Sequence, residues 1–215
     1  MIIEKTIEFV KKTLQGAEAG HDWSHIERVY KNAIQIAQGS NDINILVVEL
    51  GALLHDIADS KFHNGDESIG PKIAREFLEL HQVDENVIRE VVNIIENISF
   101  KNTKDKTKKY TSKELQIVQD ADRLDAIGAI GIARAFNYGG FKNRELYNPQ
   151  IQPNLNMSKE EYKNAKAPTI NHFYEKLLLL KDKMNTPKGR ELAEERHRFM
   201  EVFLEQFYKE WGKPL

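Results

Sequence analysis

Residues 45–54, ILVVELGALL, carry a single charged side chain and run directly into His55 and Asp56. Read as a helix, Ile45, Leu46, Val47, Val48, Leu50, Ala52, Leu53 and Leu54 leave almost no face for water. A helix that is apolar nearly all round belongs inside a packed protein, with neighbours on every side. Ionisable groups on such a helix need a partner or a metal, because burying an uncompensated charge is costly.

Helical periodicity dominates the rest of the chain, and no run reads as a convincing strand series. The spacing predicts helices near 2–14, 22–38, 43–59, 67–80, 84–98, 112–138, 169–184 and 188–211. Asp22 and Asn41 or Asp42 suit N-caps, Gly16 and Gly39 suit helix ends, and Pro71 and Pro187 suit first turns. The expected class is all-α, as a single domain over 1–215 with a core region at about 20–135 and C-terminal helices at about 169–211. Between them, GGFKNRELYNPQIQPNLNMSKEEYKNAKAP (139–168) is long, polar and rich in Asn and Pro, either a lid over a site or a surface insertion. The lysine-rich KNTKDKTKK (101–109) reads as a solvated loop.

A formal net charge of −2 provides no basic footprint for nucleic acid. No apolar run approaches the length of a membrane span, and the N-terminal MIIEKTIEFVKKTLQG is amphipathic rather than like a signal peptide. Cysteine is absent, which removes disulfides and thiolate ligands and fits a cytoplasmic setting.

Helical-wheel arithmetic groups the remaining anomalies. On the 43–59 helix, Leu46, Leu50, Leu53, Leu54 and Ile57 form one stripe, while His55, Asp56 and Asp59 fall together on the other side at the last turn. On the 22–38 helix, His25 shares a stripe with Val29, Ala33 and Ile36. On the 112–138 helix, Asp122 shares a face with Leu115, Val118, Ala126 and Ala129, and Asp125 sits one turn on. Gly128 and Gly131 each cost about 1 kcal/mol relative to Ala in a helix, and close helix–helix approach would compensate. A lone buried His can be a satisfied core residue, and a lone Asp can pair with an Arg. Several of them on three apolar helices form instead an imidazole–carboxylate set suited to a divalent ion such as Mn, Fe, Co, Ni or Zn.

At these residues the chain resembles the HD superfamily of metal-dependent phosphohydrolases. The matching elements are HDWSHIERV, ALLHDIADSKF and QDADRLDAIGA. The resemblance implies an HD-domain helical bundle with additional C-terminal helices, and metal roles for His25, His55, Asp56 and Asp122. Asp122 fits the family's ADxL context better than Asp120. The C-terminal part, including TINHFYEKLLLLKDKM, is similar to a bacterial subgroup of small stand-alone nucleotide pyrophosphohydrolases. The incomplete HDxxED pattern (Asp59, then Ser60) argues against alarmones, and the absence of a GYP signature favours a mononuclear site.

The activity so implied is hydrolysis of (deoxy)nucleoside triphosphates to monophosphate and pyrophosphate, with one divalent ion, Mn by preference and Fe, Co, Ni, Zn or Mg as alternatives. Asp59 takes the role of activating or positioning the water; otherwise it is a helix-end carboxylate paired with Lys61. Candidate substrate contacts are His21, Lys61, Arg123, Asp125, and the pair His172 and Lys176 at i and i+4 on a later helix. Asp125 could instead pair with Arg28 or Arg123. A nucleoside monophosphate phosphatase or other phosphoesterase, a non-catalytic nucleotide-binding module, and a purely structural helical protein are the competing readings. The expected partner is a small nucleotide, with no nucleic acid or membrane. Phe199, Phe203, Phe207 and Trp211 could pack internally or form a homodimer contact.

Overall fold

The computed structural model describes residues 1–16, 22–58, 66, 68–98, 110–157 and 167–212. It is all-α, with no strand among the described residues. Its helices are α1 (Ile2–Thr13), α2 (Trp23–Ala37), α3 (Ile45–Leu54), α4 (Ile69–Leu80), α5 (Glu85–Asn97), α6 (Lys113–Asp125), α7 (Gly128–Phe141), α8 (Thr169–Glu175) and α9 (Pro187–Glu210). The chain divides into two compact units, Met1–Asp122 and Arg123–Leu215.

In the first unit α3 is the hub, packing on α1, α2 and α5. Val47, Val48, Leu50, Leu53 and Leu54 are buried, as an apolar-all-round helix demands. Each such side chain contributes about 1.5–3 kcal/mol through burial. Gly51 allows the tight fit: a Cβ there would lie 3.0 Å from Ile94 Cδ1 on α5 and 3.5 Å from Val118 Cγ2 on α6. Asp22 caps α2 by accepting from the His25 amide at 3.0 Å, and Asp84 caps α5. The cap of α3 is Asn44, which accepts from the Leu46 and Val47 amides, rather than Asn41 or Asp42. Both prolines fall in first turns as expected: Pro187 opens α9 behind the Thr186 cap, and Pro71 is the third residue of α4.

Three predicted helices are revised. The first, 43–59, ends at Leu54, with His55 as its C-cap. The second, 112–138, breaks after Asp125 and restarts at Gly128, whose φ of +74° lies in the left-handed region. The expected role of the two glycines changes accordingly. Gly128 serves the break, with Arg196 of α9 packed where a Cβ would sit. A Cβ on Gly131 would collide with the Ala126 carbonyl of the preceding turn, not with a neighbouring helix. The third, 169–184, stops at Glu175, where Lys176 leaves helical geometry (φ −145°, ψ −57°) before two 3-10 turns at Leu177–Leu179 and Lys181–Lys183.

In the second unit α9 packs on α7, with Phe136, Phe173 and Phe203 in ring contact. Much of the polar stretch after α7 is fastened rather than free. The Thr169 amide donates to the Glu145 carbonyl at 2.9 Å, and Asn171 Nδ2 donates to the Ile151 carbonyl at 3.0 Å. Tyr147 is buried against Phe207, Tyr208 and Trp211, so part of the aromatic face of α9 packs internally, while Phe199 stays exposed. The 101–109 loop and residues 158–166 of the polar stretch lie outside the described residues. No helix among the described residues is long and apolar enough to cross a membrane.

Candidate metal centre

Three helices of the first unit bring two imidazoles and two carboxylates together. His25 sits in the first turn of α2, placed by the Asp22 cap and buried on the same stripe as Val29, Ala33 and Ile36. His55 closes α3, and Asp56 follows it in the turn. Asp122 comes from the last turn of α6.

His25 Nε2 stands 3.6 Å from Asp122 Oδ1 and 3.8 Å from Asp56 Oδ2. His55 Nε2 is also 3.8 Å from Asp56 Oδ2. The two imidazole rings meet edge to face, with centroids 5.4 Å apart. Ligating atoms of His25, His55 and Asp122 all lie within 4.8 Å of one another. Two ligands about 2.1 Å from one ion are separated by roughly 3–4 Å, and the 3.6 and 3.8 Å distances fall in that span.

The strongest test of fit is His55 itself. Its Nδ1 lies 2.9 Å from the Ala52 carbonyl. A carbonyl only accepts, so Nδ1 carries the proton and Nε2 presents a lone pair. That Nε2 is buried and has no hydrogen-bond partner. An orphaned lone pair facing carboxylate oxygens is unfavourable unless a cation stands between them. A backbone carbonyl holding Nδ1–H is also the usual way an imidazole is oriented for metal binding. The donor set has no sulfur, which suits a borderline-to-hard divalent ion. The carboxylate side is the open one, with the Asp122 side chain 43% and the Asp56 side chain 29% exposed.

Other candidates fare differently. His21, Asp59 and Lys61 lie outside the described residues. Asp122 in the first unit shares less of an apolar face than expected, because α6 stops before Ala126 and Ala129. Asp120 is fully buried.

In the second unit, Arg123 Nη1 donates to the Lys183 carbonyl at 2.9 Å. Asp125 is 1% exposed and pairs with Arg134 at 2.5 Å, a partner that the sequence reading did not name. His172 and Lys176 do not share a helical face, since α8 ends between them. Burial, helped by Lys176 and Arg144, lowers the His172 pKa to about 4. Near pH 7 that imidazole is neutral and offers no charge to a phosphate.

Sequence reasoning missed Arg134, Arg196 and Asn32. Arg196 Nη1 donates to the Leu124 carbonyl at 2.5 Å, and Arg134 Nη1 donates to the Asp125 carbonyl at 3.1 Å, so two arginines satisfy carbonyls at the end of α6. Asn32 was detectable as a polar residue seven positions after His25 on an otherwise apolar stripe.

Residues 22–127, which include His25, His55, Asp56 and Asp122, match the family model described as HD domain. The chain is 38% identical over 207 residues to the uncharacterized protein YpgQ of Bacillus subtilis, covering 96% of this chain and 92% of that protein. A crystal structure of an HD-superfamily hydrolase from Bacillus thuringiensis superimposes with a TM-score of 0.78 at 46% identity, over 99% of this chain and 98% of that one. The B. subtilis YpgQ structure in complex with ADP superimposes with a TM-score of 0.73 at 34% identity, over 97% and 94% of the two chains. The chain belongs to the HD-domain family and is a metal-dependent phosphohydrolase of that superfamily.

Proposed function

We propose that the protein hydrolyses (deoxy)nucleoside triphosphates to the monophosphate and pyrophosphate, using one divalent ion, Mn by preference, held by His25, His55, Asp56 and Asp122. The observation that carries the metal assignment is the buried, partnerless Nε2 of His55, turned toward the carboxylates by the Nδ1 bond to Ala52. The nucleotide assignment is supported by the ADP complex of the related YpgQ.

When bound, a divalent ion polarises a phosphoryl oxygen and acidifies the attacking water. The protein's own contribution follows from the wall it builds. His25 and His55 exclude solvent from one side, while Asp56 and Asp122 keep the other accessible to water and substrate. Asp59, three residues beyond Asp56, is assigned the positioning of the water, and His21 and Lys61 are assigned to the substrate phosphates. The water oxygen bonds to the α-phosphorus and the α–β bridging oxygen leaves with pyrophosphate.

The test is phosphate and pyrophosphate release from a panel of nucleoside mono-, di- and triphosphates with Mn-loaded protein. Pyrophosphate from triphosphates, abolished in Asp56→Ala and strongly reduced in Asp59→Ala, is the expected result. Phosphate from monophosphates would replace this reading by a nucleotidase. No turnover by verified metal-loaded protein would remove the nucleotide claim.

A further inference from the structure

Asn32 is a buried polar residue that the proposed chemistry does not use. It lies two helical turns after His25 on the α2 stripe that also carries Val29 and Ile36, and its side chain is buried. A buried amide there requires a partner. Its Nδ2 donates to the carbonyl of Ala121 on α6 at 3.2 Å, across 89 residues of sequence.

That acceptor is unusual in what it belongs to. The Ala121 carbonyl and the Asp122 amide form one planar peptide unit. The Asn32 bond therefore grips the backbone group from which the Asp122 side chain springs. An α-helix already supplies each interior carbonyl with the amide four residues on. The second bond is thus not needed to satisfy Ala121, and its effect is to fix α6 in register against α2. The same two helices carry His25 and Asp122, whose ligating atoms stand 3.6 Å apart.

We propose that Asn32 is a positioning residue of the metal centre. By clamping the Ala121–Asp122 peptide it sets the distance between His25 and Asp122, and through that distance the affinity for the ion. The proposal rests on the reading that these residues hold a metal. Ligand distances in such a site tolerate only about 0.2 Å, so a small slide of α6 weakens a ligand. Loss of an orienting partner typically lowers metal affinity about 10–100-fold.

The experiment uses the full chain, stripped with chelator and titrated with Mn²⁺, with free Mn²⁺ read by its paramagnetic resonance signal. The variants are Asn32→Ala and, to keep the volume filled, Asn32→Leu. Ile36→Val serves as the control, a buried change on the same helix face that leaves the Ala121 peptide alone. The expected result is a Kd raised about tenfold or more in the Asn32 variants that fold by circular dichroism, with a wild-type Kd in Ile36→Val. Asn32 variants with wild-type Kd, or an Ile36→Val shift of equal size, would overturn the positioning role and leave the metal reading standing. Wild type that binds no divalent ion would overturn both.

Discussion

Replacing His55 by leucine should make the metal-free protein no less stable while abolishing its response to metal. The imidazole is buried, and its Nε2 has no hydrogen-bond partner. Leaving such an atom unsatisfied costs about 1–3 kcal/mol. The substitution also loses the 2.9 Å bond from Nδ1 to Ala52, worth about 1 kcal/mol net. In chelator His55→Leu should therefore unfold at the wild-type free energy or up to about 2 kcal/mol above it. With Mn²⁺ at 100 times its Kd, wild type gains about 2.7 kcal/mol by mass action, and the variant, short of one ligand, gains little. For a chain of this size that gain is a shift of roughly 5–10 °C in Tm. Urea and thermal unfolding followed by circular dichroism, each in EDTA and in Mn²⁺, read both quantities. A loss of several kcal/mol in EDTA would refute the reasoning, because it would mean that the fold itself satisfies Nε2.

Two further expectations concern the second unit. Because burial lowers the His172 pKa to about 4 while the unfolded chain titrates near 6.5, the unfolded state binds more protons between those values. Stability therefore falls as pH drops through that window, by about 3 kcal/mol when complete. His172→Gln should flatten this acid limb in urea titrations at pH 7, 5.5 and 4.5; an unchanged limb would contradict it. Arg134→Met removes the guanidinium that lies 2.5 Å from the buried Asp125 carboxylate and should cost about 3 kcal/mol. Equilibrium unfolding within about 0.5 kcal/mol of wild type would show the pair to be idle.

The helical class and the core position of residues 45–54 could be read from periodicity, since nothing but an interior helix accommodates so few polar side chains. The ends of elements could not. Ile57 is buried, so the apolar pattern runs past Leu54 and a wheel extends the helix, although α3 ends at Leu54 with His55 as its C-cap. The break between α6 and α7 hid for a related reason: Ala and Arg on both sides favour helix, and the stop is marked only by backbone geometry, the extended Ile127 (φ −125°, ψ 170°) and the positive φ of Gly128. That break also concealed one partner of Asp125, Arg134. On an unbroken helix, nine residues correspond to about 900°, which puts Asp125 and Arg134 on opposite faces; the interruption lets them meet. In the candidate site, residue types and spacing single out His25, His55, Asp56 and Asp122. The orphaned Nε2 and the grip of Asn32 on α6 exist only once three helices are assembled.

The central place of α3 has a consequence for how the site fluctuates. Segments wrapped on all sides open only at free energies close to that of global unfolding, whereas exposed turns open far more cheaply. His55 emerges directly from the segment whose Leu50, Leu53 and Leu54 are wholly buried, while Asp122 projects from the exposed side. One wall of the centre thus shares the lifetime of the folded state, and the opposite wall keeps the low-barrier motions. On the proposed function, water and product would exchange from the carboxylate side, at the cost of a local fluctuation rather than a partial unfolding of the core.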